Sequence, residues 1–160
     1  MNSRYVFFTS APPDTSLQLI GNSIVCDLGI SPNRPPYEIL ELIEASVITD
    51  TDVNQIVVKA DIQPSNYYSN DHTKVALGLL HFRTTATIPP DDIYRFTLND
   101  NEKPKYQVSN VRKILLTLSM LNGTELPFVD VLGFKLIFKI SYPEQGSITR
   151  DYVKAIPDPL

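Results

Sequence analysis

Two short acidic pairs, Asp50-Thr51-Asp52 and Asp91-Asp92, are the residues of this chain best suited to hold a metal. Calcium takes about six to eight oxygen ligands, and paired carboxylates on the loops of a β-sandwich can supply them. Each pair also has the composition of a turn, because Asp hydrogen-bonds its own backbone and ends strands. A Ca²⁺-dependent, C2-like sandwich therefore stands beside a purely structural reading of the same residues. Other chemistry is poorly served. Two histidines, His72 and His81, and one cysteine, Cys26, cannot fill the Cys-pair or H-E-x-x-H patterns of zinc. The chain has no G-x-S-x-G elbow for a nucleophile and no glycine-rich phosphate cradle. Neither catalytic residues nor a cofactor are expected, and the chain reads as a non-enzyme.

Tyrosines and prolines offer contact rather than catalysis. Tyr67-Tyr68 lie in the polar run "QPSNYYSNDHT", which gives them no core of their own. Exposed tyrosines suit protein interfaces and sugar sites, since one end is apolar and the other can hydrogen-bond. The C-terminal run "AIPDPL" places Ile156, Pro157, Pro159 and Leu160 in a stretch without periodicity. Proline keeps such a segment extended, either as a frayed end or as an arm laid on a neighbour. Tyr67, Tyr68, Ile156, Pro157, Pro159 and Leu160 are thus the candidate interface residues. A binding module recognising carbohydrate or a receptor through Tyr67-Tyr68 and the loop "NDNEKPK" is the alternative use of the same surface.

The elements that must position these residues are strands. "QIVVKADI" (55–62) alternates cleanly, with Ile56, Val58, Ala60 and Ile62 on one face. "RYVFFTS" opens the chain as a strand, and shorter candidates at Leu17–Ile20 and Ser23–Leu28 are split by Gly21-Asn22. "KVALGLLHFRTTATI" (74–88) reads as a long strand whose Gly78 marks a bulge or a close backbone approach, and "IYRFTL" follows. "LLTLSMLNGTELPFVDVLGFKLIFKI" (115–140) reads as an apolar hairpin turning at Asn122-Gly123, with Phe134, Leu136, Phe138 and Ile140 on the return. Residues 37–48, "YEILELIEASVI", are ambiguous. Glu38, Glu41 and Glu44 recur at a helical interval, while Ile39, Ile43, Ala45 and Val47 fit a period of two; strand is preferred. Eight or nine strands without crossover helices predict one all-β domain over 1–160, an antiparallel β-sandwich. A single jelly roll of about eight strands fits better than an immunoglobulin sandwich, whose Cys…Trp…Cys core a chain with one Cys and no Trp cannot make. Residues 143–160 are expected to form a partly extended tail.

Composition narrows the partners. The net charge is −4, and the imbalance is local: residues 1–80 carry 4 Lys/Arg against 9 Asp/Glu, residues 81–160 carry 10 against 9. Nucleic acid, which needs a basic groove or arm, is not expected as a partner. One cysteine allows no internal disulfide, and its neighbours Ile24, Val25 and Leu28 suit a small buried hydrophobe. No run approaches the ~20 apolar residues of a membrane span, and Tyr5–Phe8 is too short for a signal peptide. A soluble protein of a reducing compartment is the expectation. Asn122-Gly-Thr124 then reads as a turn rather than a glycosylation site.

The segment "VSNVRKILLTLSMLNGTELPFVDVLGFKLIFKISYP" resembles the end of jelly-roll capsid proteins from virophages, polinton-type elements and large eukaryotic DNA viruses. In that group a strand leads to an Asp-Gly or Asn-Gly turn, a Pro with an aromatic, an acidic residue and a last apolar strand. Here those features are Leu116–Leu121, Asn122-Gly123, Pro127-Phe128, Asp130 and Phe134–Ile140. "RYVFFTS" is similar to the group's first strand, and "YEILELIEASVI" to a strand in which Tyr37 stands where Trp is expected. The resemblance covers roughly a third of the chain. It implies a penton or minor capsid protein that fills or cements an icosahedral shell, contacting other capsid proteins and its own copies, for example as a pentamer. Such a protein is made in a host's cytoplasm or nucleus and resides in the virion.

Overall fold

The alternation read from the sequence is written into the burial of the strands. The computed structural model describes residues 1–10, 17–61, 74–83, 93–99, 103–109 and 111–144. They form β1 (Asn2–Thr9), β2 (Leu17–Ile20), β3 (Ser23–Asp27), β4 (Glu38–Thr49), β5 (Gln55–Asp61), β6 (Lys74–Arg83), β7 (Tyr94–Leu98), β8 (Lys105–Val108), β9 (Lys113–Met120), β10 (Glu125–Leu126) and β11 (Gly133–Tyr142), with a 3₁₀ turn at Phe128–Asp130. No α-helix occurs among the described residues, and no helix there is long and apolar enough to cross a membrane. The fold is all-β, antiparallel and sandwich-like.

Hydrogen-bonded neighbours follow the order β1-β11-β4-β7-β6-β5-β9-β3-β2, with β8 on β4 and β10 on β9. The path folds over at β7, which pairs Ser46–Thr49 of β4 on one edge and Leu80–Arg83 of β6 on the other. Below it, β8 pairs Glu38–Glu41 of β4, and the Tyr106 hydroxyl donates to the Ala76 carbonyl of β6 at 2.6 Å. One hydrophobic core fills the space between the layers. Phe8, Phe96 and Phe138 are fully buried in it, and Phe8 meets Phe138 edge-on at 6.0 Å and 72°. Ile56, Val58 and Ala60 face the core from β5, as the alternation predicts, while Ile62 lies outside the described residues. Cys26 is buried and not part of a disulfide.

The ambiguity over residues 37–48 resolves as strand, and a β-bulge explains it. Phe138 pairs with Leu42 and Ile137 with Glu44, so Ile43 is the extra residue on β4. Before the bulge Glu38, Leu40 and Leu42 point inward; after it Ala45, Val47 and Thr49 do. The apolar set read as Ile39, Ile43, Ala45 and Val47 therefore mixes the two faces. The phase shift also accounts for the helix-like glutamates. A straight strand would put Glu38 and Glu44 on one face; here Glu38 is buried and Glu44 is exposed, paired with Lys135 at 2.9 Å.

The turn at Asn122-Gly123 forms, but it does not join the strands predicted. It returns the chain into β10, where Glu125 opposes Ser119 and Leu126 opposes Leu118. The chain then crosses to the other layer, and β11 runs between β1 and β4. Phe134–Ile140 thus never pairs with Leu116–Met120. Gly78 serves both roles proposed for it. Val58 opposes Gly78 while Lys59 opposes Ala76, leaving Leu77 as a bulge, and a side chain at 78 would run into the Leu98 methyl.

Candidate functional site

Register places the loops at two ends. Asn2, Asp27, Glu38, Asp61, Lys113 and Tyr142 mark one end, called the base, through the pairs Asn2–Tyr142, Asp27–Lys113 and Asp61–Leu115. Tyr67 and Tyr68 lie outside the described residues, as do Ile156, Pro157, Pro159 and Leu160. Their described flanks, Asp61 and Lys74 for the first pair and Glu144 for the second group, lie at or next to the base. Asp50 and Asp52 occupy the β4–β5 turn at the opposite end and are exposed; Asp91, Asp92 and His72 lie outside the described residues. Among the described residues no group of three or more His, Cys, Asp or Glu side chains is placed to hold a metal.

The base is organised by residues that the sequence did not single out. Arg4, on β1, reaches across to the β3–β4 loop. Its guanidinium donates to Ser31 Oγ at 2.7 Å and to the Leu28 and Gly29 carbonyls, and its Nη2 lies 3.7 Å from Glu38 Oε2. Glu38 is thereby tolerated at a buried position, since a buried charge needs a partner. Asp27 ends β3 and accepts the Gly29 N–H at 2.9 Å, with Arg112 Nη2 3.5 Å from its other oxygen. The Gly29 N–H first, and the Arg112 cation after it, hold the Asp27 carboxyl below its ordinary value of 3.8.

The loop continues through a type II turn. Arg34 N–H donates to the Ser31 carbonyl at 3.3 Å, with Pro32 at the second position and Asn33 at φ +62 at the third. Pro-Asn in this order is legible as a turn. The next residue is not. Arg34 sits at φ +44, a left-handed conformation uncommon for arginine, and directly before Pro35, which disfavours compact conformations of its predecessor. Arg34 is exposed and, among the described residues, forms no ion pair.

Two clefts meet at Arg34-Pro35. One of about 190 Å³ lies between the β3–β4 loop and the β8–β9 turn, lined by Ile30, Arg34, Pro35, Glu38, Val111 and Arg112. The other, of about 260 Å³, is lined by Pro32, Arg34, Pro35, Pro36, Tyr142 and Pro143 among others. Both fall below the roughly 300–1,000 Å³ usual for small-molecule sites, and match recesses for side chains better than a cofactor pocket.

A second surface lies on β1. Its free edge carries no strand among the described residues, and Tyr5 and Phe7 on its outer face are 52% and 57% exposed. Phe7 opposes Ile137 and Tyr5 opposes Lys139 on β11. Natural sheets blunt free edges with Lys, Pro or bulges; β1 has none of these, and its one charged residue, Arg4, is committed to the base. At the end opposite the base, Ile20, Leu121, Val129 and Leu132 are also exposed.

Compared with protein-family models, with curated proteins and with solved structures, the chain matches none.

Proposed function

We propose that this chain is a structural protein of a virion, a single jelly roll of the penton or minor-capsid type that fills or cements a shell through subunit contacts. The observation that carries the reading is strand order. Eight of the strands fall into two sets of four neighbours, β1-β11-β4-β8 and β3-β9-β5-β6. Among the described residues the chain passes from one set to the other at every long connection except β5 to β6, and β1 lies beside β11. This is the order expected of a double Greek key wound into a jelly roll, with β2, β7 and β10 as additions. The resemblance of the β9–β11 region to capsid proteins agrees with it. The outer face of β1, with Tyr5 and Phe7 exposed, supplies an apolar contact surface of the kind that subunits bury on assembly.

Sedimentation velocity from dilute to concentrated protein tests the reading, with a Tyr5→Ser/Phe7→Asp double variant as control. The native chain is expected to self-associate and the variant to remain monomeric with unchanged circular dichroism. A native chain that stays monomeric throughout would remove the pentameric version. Association that persists undiminished in the variant would remove β1 as the contact.

A further inference from the structure

We propose that β1 is a self-recognition edge, and that two copies of the chain join by antiparallel pairing of their β1 strands about a two-fold axis at Val6. The inference rests on the subunit-contact reading above only in taking β1 as the contact, and adds its symmetry and register.

Hydrogen-bond direction is the first argument. The Ser10 N–H donates to the Phe134 carbonyl at 3.1 Å, which continues the register that sets Thr9 opposite Lys135. Bonded pairs in an antiparallel ladder recur at every second residue. Phe8, Val6 and Arg4 therefore turn their backbone groups towards β11, while Ser3, Tyr5 and Phe7 turn theirs outward. The contact of Ser3 Oγ with Ser141 Oγ at 3.3 Å agrees, because side chains come closest in the non-bonded pairs. The outward groups of Ser3, Tyr5 and Phe7 have no backbone partner among the described residues. A strand edge in this state, without Lys, Pro or a bulge, is a template for another strand.

Sequence symmetry selects a second copy as that strand. Outward groups must meet outward groups, so the axis of a self-pairing passes through a residue rather than between two. With the axis at Val6, Tyr5 opposes Phe7 of the second copy and Phe7 opposes Tyr5 of the second copy, both as bonded pairs. Aromatic cross-strand pairs stabilise sheets, and both rings stand on the outer face, 52% and 57% exposed. An axis at Tyr5 or at Phe7 would make one aromatic pair instead of two. Arg4, the one charge on β1, is engaged at the base, so no like charges meet across the axis on β1. Ile137, opposite Phe7 on β11, continues the apolar strip. At about 150–250 Å² per ring, the exposed halves of the aromatics bring together roughly 330–550 Å². With the paired edges added, the contact lies near the ~1,000 Å² threshold of specific interfaces, the size of a weak, reversible dimer. Each copy offers the same patch, so the contact is isologous and closes on itself.

The test is register-specific crosslinking of the full chain, with Cys26→Ala throughout. Chains carrying Tyr5→Cys are mixed with chains carrying Phe7→Cys under mild oxidation. Opposed bonded residues have Cα atoms about 5.5 Å apart, inside the disulfide range of about 4.4–6.8 Å. The mixture is expected to crosslink between unlike chains, with the other Tyr5–Phe7 pair of the same dimer intact. Either variant alone sets its thiols at the diagonal spacing of about 7–8 Å and is expected to stay uncrosslinked. Sedimentation gives a second reading. Tyr5→Pro removes an outward N–H and no bond to β11, so circular dichroism stays native. Its dimerisation is expected to be about thirtyfold weaker than that of Tyr5→Leu, which keeps the N–H, since a ladder bond is lost from each copy. No mixed crosslink, equal crosslinking of the single variants, or Tyr5→Pro dimerising like Tyr5→Leu would each overturn the pairing. Self-association that survives such a result leaves the subunit-contact reading standing through another surface. A crosslinking native dimer that grows no further upholds the pairing and removes the pentamer.

Discussion

Replacing Arg4 with Met removes the cation from the base while keeping an unbranched side chain. The side chains of Arg4 and Glu38 are 20% and 10% exposed, so the pair is largely out of water. Deleting one partner of a buried pair leaves the other uncompensated, at about 3–5 kcal/mol. The Leu28 and Gly29 carbonyls and Ser31 Oγ lose their donor as well. The 3.7 Å separation and the cleft beside Glu38, which lets water reach the orphaned carboxylate, pull the expected loss to the lower end, about 3 kcal/mol. Set against a usual total of about 5–15 kcal/mol, that is a large fraction. Urea unfolding followed by far-UV circular dichroism reads it as a lower midpoint at unchanged slope. The double variant Arg4→Met/Glu38→Leu removes the orphaned charge and should recover all but about 1–2 kcal/mol, the share of the abandoned acceptors. A loss below about 1 kcal/mol for Arg4→Met alone would mean the pair behaves as an ordinary surface bridge, and the account of the base would fail.

Phe138→Ala empties the middle of the core, where Phe138 is fully buried against Phe8, and should cost about 3–5 kcal/mol in the same assay; a double cycle with Phe8→Ala should show about 0.5–1.5 kcal/mol of coupling. Asp27 titrates below 3.8 in the fold, so its stabilisation is complete above that value and is lost as pH falls through the lower folded one. Asp27→Asn should therefore flatten the acid limb of the stability profile without altering it near neutrality in shape, and an unchanged acid limb would refute the assignment.

How far the sequence carried varies by element, for physical reasons. β5 was legible because both its neighbours are regular antiparallel partners over Ile56–Val58, so burial follows strict alternation there. β4 was half legible: its bulge at Ile43 breaks the period in the middle of the strand. The Asn122-Gly123 turn is legible but its return is not, since local pattern identifies a turn and not which strand pairs after it. β8 went unread because "KYQV" offers two apolar residues in four, beside the polar run before it. The base was illegible for a further reason. Arg4 and Glu38 stand on strands separated by β11, and their meeting depends on the whole pairing order. The left-handed backbone of Arg34 has no composition signal, because the residue type that usually announces such a conformation is glycine.

The fold-over at β7 has a mechanical consequence. With β7 hydrogen-bonded to both β4 and β6, and β8 reaching from β4 to the Ala76 carbonyl, the molecule is bound along one spine like a book. The covers are β1 and β2, each bonded to a single neighbour among the described residues. Thermal breathing will concentrate at that fore-edge, where each strand is held along one side only. Anything that clasps the fore-edge shut stiffens the entire molecule, whereas a grip on the spine leaves its motions unchanged.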